Sequence, residues 1–411
     1  MTLSVYLDSS DYSVLSDPGR ASREAPGVLE KLQRLRDDGL VEFFFSAAHL
    51  TEMAPLQPSY ADAAIRRGNV LVELCGGNCM VHQETLFRAE VSTALGLTAS
   101  VSNPTDRNGR WFQDNIAEMS PVTAVSHLRS LQDSIAELLP EASRAQRRQV
   151  QRKLSKGGKL RPAIHNSIVR DAKEVDLNEI LALYPMTQDA ARVLARYVAG
   201  DASAEHATAA FESCLRDPRW MMQWFEKHHG KLTPFVAWAR GPAAQVTSKV
   251  IEMAQLIENA RENPYLSEEL LNSIYGPAAW AELQEKMLVN IANKFGEGIK
   301  ANTRLDIDSI DNSCPGLSAA IRSLHSAWYS ITFEKQRKPK ESDFVDALHT
   351  AYAPYVDVFR ADGFMANYVT KQVAQFGTTV VSKLSSLPNI LQNRCAPVAN
   401  KAQVDCTSAP L

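Results

Sequence analysis

The chain is poor in cysteine, with six in 411 residues, and none of them falls in a C-x-x-C spacing. Cys75, Cys79, Cys214, Cys314, Cys395 and Cys406 therefore read neither as a disulfide framework nor as a four-thiolate zinc site. Cys75 and Cys79 flank Gly76 and Gly77, but no second pair completes a ligand set. No apolar run approaches the roughly 20 residues of a membrane span, which excludes a helical membrane class. The opening residues do not read as a signal peptide, so the expected setting is reduced and cytoplasmic. An excess of basic charge is also missing. With 44 Lys and Arg against 47 Asp and Glu, a polyanion partner would have to be held by local patches. No fixed-period repeat is present, which excludes a solenoid.

The chain does have an ordinary globular composition, 45% hydrophobic and 22% charged, and length enough for two cores. Its most informative stretch runs from Glu341 to Lys371. The pattern predicts an acidic helix from Asp343 to about Tyr352, then, after Pro354, a strand over Tyr355 to Phe359 that delivers Asp362 at its far end. Asp343 and Asp346 lie one helical turn apart and share a face, with His349 a further turn along. A helix carboxylate and a strand-end carboxylate meeting in this way form a metal-site arrangement that needs partners elsewhere.

The first strand, Leu3 to Asp8, breaks into Ser9, Ser10 and Asp11, placing Asp8 at the carboxyl edge of a sheet, where open α/β folds bind ligands. Asp8 or Asp11 alternatively caps the helix that follows. A surface helix with Val28, Leu29, Leu32 and Leu35 on one face leads to an apolar strand, Leu40 to Phe45, of the kind buried in a parallel sheet. Ser46 then caps a helix that carries His49 and Glu52 on one face. Glu52 is the next acid pointing toward Asp8, or else a solvated first-turn glutamate; His49 reads as a packed helix histidine. A helix from Tyr60 to Leu74 and a short strand at Cys79 to Val81 complete the first part.

From there to Lys340 the alternation stops. The patterning is helical: a helix opening at Ser120 and Pro121, and further ones near Val175 to Leu183, Ala190 to Tyr197, Ala207 to Leu215, Val246 to Ile257, Ala279 to Phe295 and Leu317 to Ile331. A basic run from Arg144 to Arg161 reads as a solvated face or as phosphate contacts. A second, Lys335, Arg337, Lys338 and Lys340, precedes the acidic helix, where cations suit a phosphodiester backbone. The six tryptophans could stack bases, but their apolar helical neighbours favour the core. Beyond Asp362 come a helix around Tyr368, a β-branched strand, Thr378 to Ser382, and a polar, proline-broken tail from Pro388.

These features resemble a PIN-type nuclease domain. The resemblance rests on Asp8 in VYLDSS, Glu52 in SAAHLTE, Asp343 in SDFVDALH with His349 six residues on, and Asp362 in VDVFRAD. It implies an α/β, PIN-like three-layer domain with a mostly parallel central sheet, its halves at residues 1–90 and 335–387. A helical insertion at 91–334 would separate them, and residues 388–411 would form a tail. It also implies a metal-dependent endoribonuclease, with Asp8, Asp343, Asp362 and Glu52 catalytic and holding Mg²⁺ or Mn²⁺. Asp346, Asp11 and His349 would be auxiliary. Where relatives usually carry a small hydroxyl residue, two before the last acid, this chain has Arg360, which would grip a phosphate together with Lys335, Arg337, Lys338 and Lys340. RNA, single-stranded or structured, is the implied substrate. An inhibitory or regulatory protein partner and self-association suit a toxin-like or defence RNase, and no membrane is expected. The chemistry agrees: two carboxylates about 5 Å apart repel by about 3 kcal/mol at an effective dielectric near 20, so such a cluster calls for a cation, and oxygen ligands select Mg²⁺ or Mn²⁺. The alternatives are a catalytically silent PIN-like RNA-binding or protein-interaction module, and a DNA nuclease of the same chemistry.

Overall fold

The computed structural model describes residues 2–55, 57–98, 103–113, 122, 155–156, 159–160, 184, 186–199, 201–263, 265–302, 304–334, 337–340 and 342–404. Lys335, Cys406, the expected helices at Ser120 and at Val175 to Leu183, and most of the basic run from Arg144 lie outside these residues. The chain forms two compact units, residues 1–111 with 233–411, and residues 112–232.

In the first unit, β1 (Leu3–Tyr6) leads through Asp8 into α1 (Ser9–Leu15). The amphipathic α2 (Val28–Asp37) buries Val28, Leu32 and Leu35 and stops short of Gly39, whose φ of +69° favours glycine. Then come β2 (Val41–Phe44), α3 (Ala47–Met53), α4 (Ala61–Cys75), β3 (Cys79–Met80), α5 (Gln83–Ala94) and β4 (Thr105–Asp106). After the second unit follow α6 (Pro277–Glu297), α7 (Pro315–Thr332), α8 (Ser342–Thr350), β5 (Val358–Arg360), α9 (Ala366–Val373), β6 (Thr379–Val381) and α10 (Leu387–Val404).

The architecture is mixed α/β around a four-stranded parallel sheet in the order β2-β1-β5-β6. Val5 pairs with Phe43 on one side and Val358 on the other, and Val358 pairs with Thr379. Phe45 forms a parallel bridge to Cys79, so β3 extends the sheet beyond β2 before pairing antiparallel with β4. Neighbouring Val5 and Tyr6 are both fully buried, which means that both faces of β1 are covered, as parallel sheets require. Tyr6, Phe44 and Phe359 join one core with Phe87 of α5, Leu288 of α6 and Leu317 of α7.

Three expectations need correction. The strand expected from Tyr355 begins only at Val358, because Pro354 sits in a 3₁₀ turn over Ala353–Tyr355, where its fixed φ suits a turn and not a ladder. The helical region at 91–334 is not one insertion. Residues 233–334 belong to the sheet-bearing unit, where α6 and α7 pack on α5 and α7 also packs on α8 and α9. Finally, residues 387–404 are helical, with Leu387 and Leu391 fully buried; Pro388 occupies the first turn, where a missing N–H costs nothing.

In the second unit, Gln188–Ala199 packs against Ala204–Leu215, whose Ser203 cap accepts from the His206 amide. A two-stranded hairpin joins Ser155–Lys156 to Lys159–Leu160 within the basic run.

Candidate acidic site

The carboxyl ends of β1 and β5 emerge side by side, and each delivers an aspartate just beyond the strand. Asp8 is almost fully buried and caps α1: its Oδ1 accepts the Ser10 amide at 2.7 Å, and its own amide donates to Asp11 Oδ2 at 3.1 Å. The capping reading of Asp8 is therefore borne out. Asp362 is half-buried, and its Oδ1 accepts the Met365 amide at 2.6 Å. From the helices come Glu52 on α3 and Asp343 and Asp346 on α8.

Asp346 is the centre of the group. Its carboxyl is pushed well above the usual aspartate range, first by burial and then by the negative charges of Asp8, Glu52, Asp362 and Asp343. Among the described residues no hydrogen bond reaches its carboxylate. The four acids picked out as catalytic are thus all near enough to Asp346, one of the three residues picked out as auxiliary, for their charges to act on it. The donor set, carboxylate oxygen throughout, suits a hard divalent cation. Among the described residues, however, no three acid, histidine or cysteine side chains are arranged to hold a metal ion in this conformation.

Glu52 is held by histidine. His349 Nε2 lies 3.1 Å from Glu52 Oε2 and 3.2 Å from Ser9 Oγ, and its Nδ1 lies 2.6 Å from the Tyr6 hydroxyl, which is itself 2.6 Å from Ser46 Oγ. Burial raises the Tyr6 phenol well above its ordinary value, keeping it a donor. Ser46, Tyr6, His349 and Glu52 thus form one continuous line of hydrogen-bonding partners. His49 stands beside this line and stays neutral, its pKa lowered by burial and by His349. Its Nδ1 accepts the Ser46 amide at 3.0 Å, so Nε2 carries the proton and donates to the Leu7 carbonyl at 2.9 Å.

The basic residues take up different positions from those expected. Arg360 does not reach toward a phosphate. Its guanidinium is buried, pairs with Asp11 at 3.0 Å and donates to the Ala361 and Val381 carbonyls, because β5 is a central strand with no solvent-facing side. Asp11 is correspondingly interior: burial outweighs Arg360 and lifts its carboxyl to about 7. Arg337 folds back on Asp343, with Nη2 on Oδ1 at 2.5 Å and Nη1 on Oδ2 at 3.2 Å. Lys338 and Lys340 have exposed side chains beside the acids. Asp357 lies at the other end of the sheet, where its Oδ2 accepts both the amide and the hydroxyl of Ser4 at 2.8 Å.

One buried acid escapes the sequence reading. Glu90 on α5 is fully buried, accepts the Gly316 and Leu317 amides at 2.6 and 2.9 Å, and also accepts the Tyr355 hydroxyl. It caps α7. The signal was there, since Glu90 interrupts the apolar stripe of Leu86, Phe87 and Val91. Of the tryptophans, Trp224 and Trp280 are buried, the latter donating to the His325 carbonyl at 3.0 Å. Burial pushes the Cys75 thiol up to about 12 and raises Cys79 as well, the opposite of what thiolate ligands need. No helix among the described residues is long and apolar enough to cross a membrane. Comparison with family models, curated proteins and solved structures yields no match.

Proposed function

We propose that the chain is a metal-dependent nuclease of PIN-like fold that hydrolyses RNA phosphodiester bonds. The observation that supports it is the convergence of Asp8, Glu52, Asp343 and Asp362 on Asp346 at the carboxyl edge of a parallel sheet. Asp8, Asp343 and Asp362 would be the ligands of Mg²⁺ or Mn²⁺, and Glu52 a further ligand or the group that orients the attacking water. A bound divalent cation supplies an activated water and neutralises charge on the phosphorane and leaving oxygen. His349 holds Glu52 in position, and Lys338 and Lys340 present positive charge where the backbone of a nucleic acid would cross.

Wild type and Asp343→Asn are compared on a mixed pool of labelled RNA and single-stranded DNA with Mg²⁺, Mn²⁺ or EDTA. Cleavage of RNA that needs the cation and falls by about 100-fold or more in the variant is the expected result. Cleavage confined to DNA reassigns the substrate. A second reading, a non-catalytic RNA-binding or protein-interaction module, is favoured by the guanidinium already seated on Asp343. RNA binding by both proteins with no cleavage under any condition selects it.

A further inference from the structure

The pairing of Arg337 with Asp343 sets a cation of the chain itself among the acids. Asp343 is buried, and its two oxygens offer about four acceptor positions. Three are filled: Arg337 Nη2 on Oδ1, and Arg337 Nη1 and the Lys340 amide, at 2.9 Å, on Oδ2. A two-pronged guanidinium is the strongest such partner. The segment Arg337–Lys340 is pinned over the acid by further contacts. Arg337 Nη1 donates to the Lys338 carbonyl at 3.0 Å, Thr247 Oγ1 donates to the Lys340 carbonyl at 3.4 Å, and the guanidinium lies 4.0 Å from the centre of the Phe364 ring. Phe364 stands two residues beyond Asp362, so the strap ties the acid of α8 to the loop that carries the strand-end acid.

Among these acids the protein's own cation is set on one carboxylate, while Asp346, one turn along the same helix, has none of these donors. The guanidinium and the Lys340 amide leave Asp343 one open acceptor position, so a divalent cation seated there competes with them for the others and is repelled by the guanidinium.

We propose that Arg337 is a built-in counter-ion that occupies the cation's place at Asp343, and that the strap Arg337–Lys340 must lift from Asp343 before the site is loaded. The proposal rests on the metal-site reading above. Cation and strap are then reciprocal competitors, each weakening the other's hold by the same factor.

The test measures Mn²⁺ binding by calorimetry on the full-length wild type, Arg337→Gln and Asp362→Asn, together with amide exchange at Lys340 in the wild type with and without Mn²⁺. Arg337→Gln should bind Mn²⁺ about tenfold more tightly than wild type, within the usual range of coupling between two sites. Mn²⁺ should also speed exchange of the Lys340 amide as it leaves Asp343. If Mn²⁺ binds wild type and is lost in Asp362→Asn, but Arg337→Gln gains no affinity or the Lys340 amide stays protected, the strap is not the competitor and the metal site stands. If neither wild type nor Arg337→Gln binds Mn²⁺, the metal site and the competition fall together. The exchange measurement uses wild type alone, so it does not depend on how well the variant folds.

Discussion

Glu90 and Asp346 are both acids that burial pushes upward, and they differ in what surrounds them. Glu90 faces donors: two backbone amides at the start of α7 and the Tyr355 hydroxyl, with its carboxyl lifted to about 7. Asp346 faces acids, with Asp8, Glu52, Asp362 and Asp343 all raising it further. The first is a complete structural device, whose hydrogen bonds offset its desolvation and fix three elements together. In the second, the negative charges of its neighbours add to burial in disfavouring the ionised form, and among the described residues no donor offsets them. A buried carboxylate is informative for function when its neighbours share its charge.

Removing Glu90 sharpens the contrast most. In Glu90→Ala the Gly316 and Leu317 amides and the Tyr355 hydroxyl lose their partner inside the core, and a loss of about 3 to 5 kcal/mol is expected by urea denaturation. A loss below about 1 kcal/mol would mean that water replaces the carboxylate and that Glu90 is not structural.

The next effect is on pH. The folded values of Glu90 and Asp11, both about 7, lie above their ordinary 4.5 and 3.8, so between about pH 4 and 7 the folded chain holds protons that the unfolded chain has released. The stability these two groups contribute therefore falls as pH rises through that window and levels off above it, by up to about 3 to 4 kcal/mol per group. Urea midpoints across pH 5 to 8 should show this slope, and Glu90→Gln should reduce it.

Smaller again is Gly316→Ala. A Cβ at Gly316 would lie 2.6 Å from the Ala351 carbonyl oxygen and 2.8 Å from Glu90 Oε1, so a loss of about 1 to 3 kcal/mol is expected from the melting temperature. The smallest effect has the opposite sign. Asp346→Asn removes the charge that four neighbours oppose and should stabilise the protein by about 1 kcal/mol. If the variant melts below wild type, Asp346 resembles Glu90 and the comparison fails.

Much of this was legible in the sequence. Asp8 and Asp362 stand just beyond strand ends, Glu52 on a helix just after a strand and Asp343 in the first turn of a helix, and local patterns of that kind show in a short window. Asp346 was visible only as a neighbour of Asp343, since its surroundings depend on how α8 packs against α3 and α7. The arginines misled for the same reason. Nothing near Arg360 announces Asp11 as its partner, 349 positions away along the chain, and nothing in the basic run distinguishes Arg337, which turns inward, from Lys338 and Lys340, which face out. Amphipathic helices declare that they bury a face but not against what, so the pattern alone sets α6 and α7 apart from the sheet-bearing unit whose core they join.

The strand order has a consequence in time. β1 finds β2 within a few dozen residues, but its other neighbour, β5, begins at Val358. During ribosomal synthesis at about 5 to 20 residues per second, the free edge of β1 waits roughly a quarter of a minute to a minute for that neighbour. Asp343, Asp346 and Asp362 arrive with it. The nascent chain thus carries only Asp8 and Glu52 of the five, and no complete cluster, through most of its time on the ribosome.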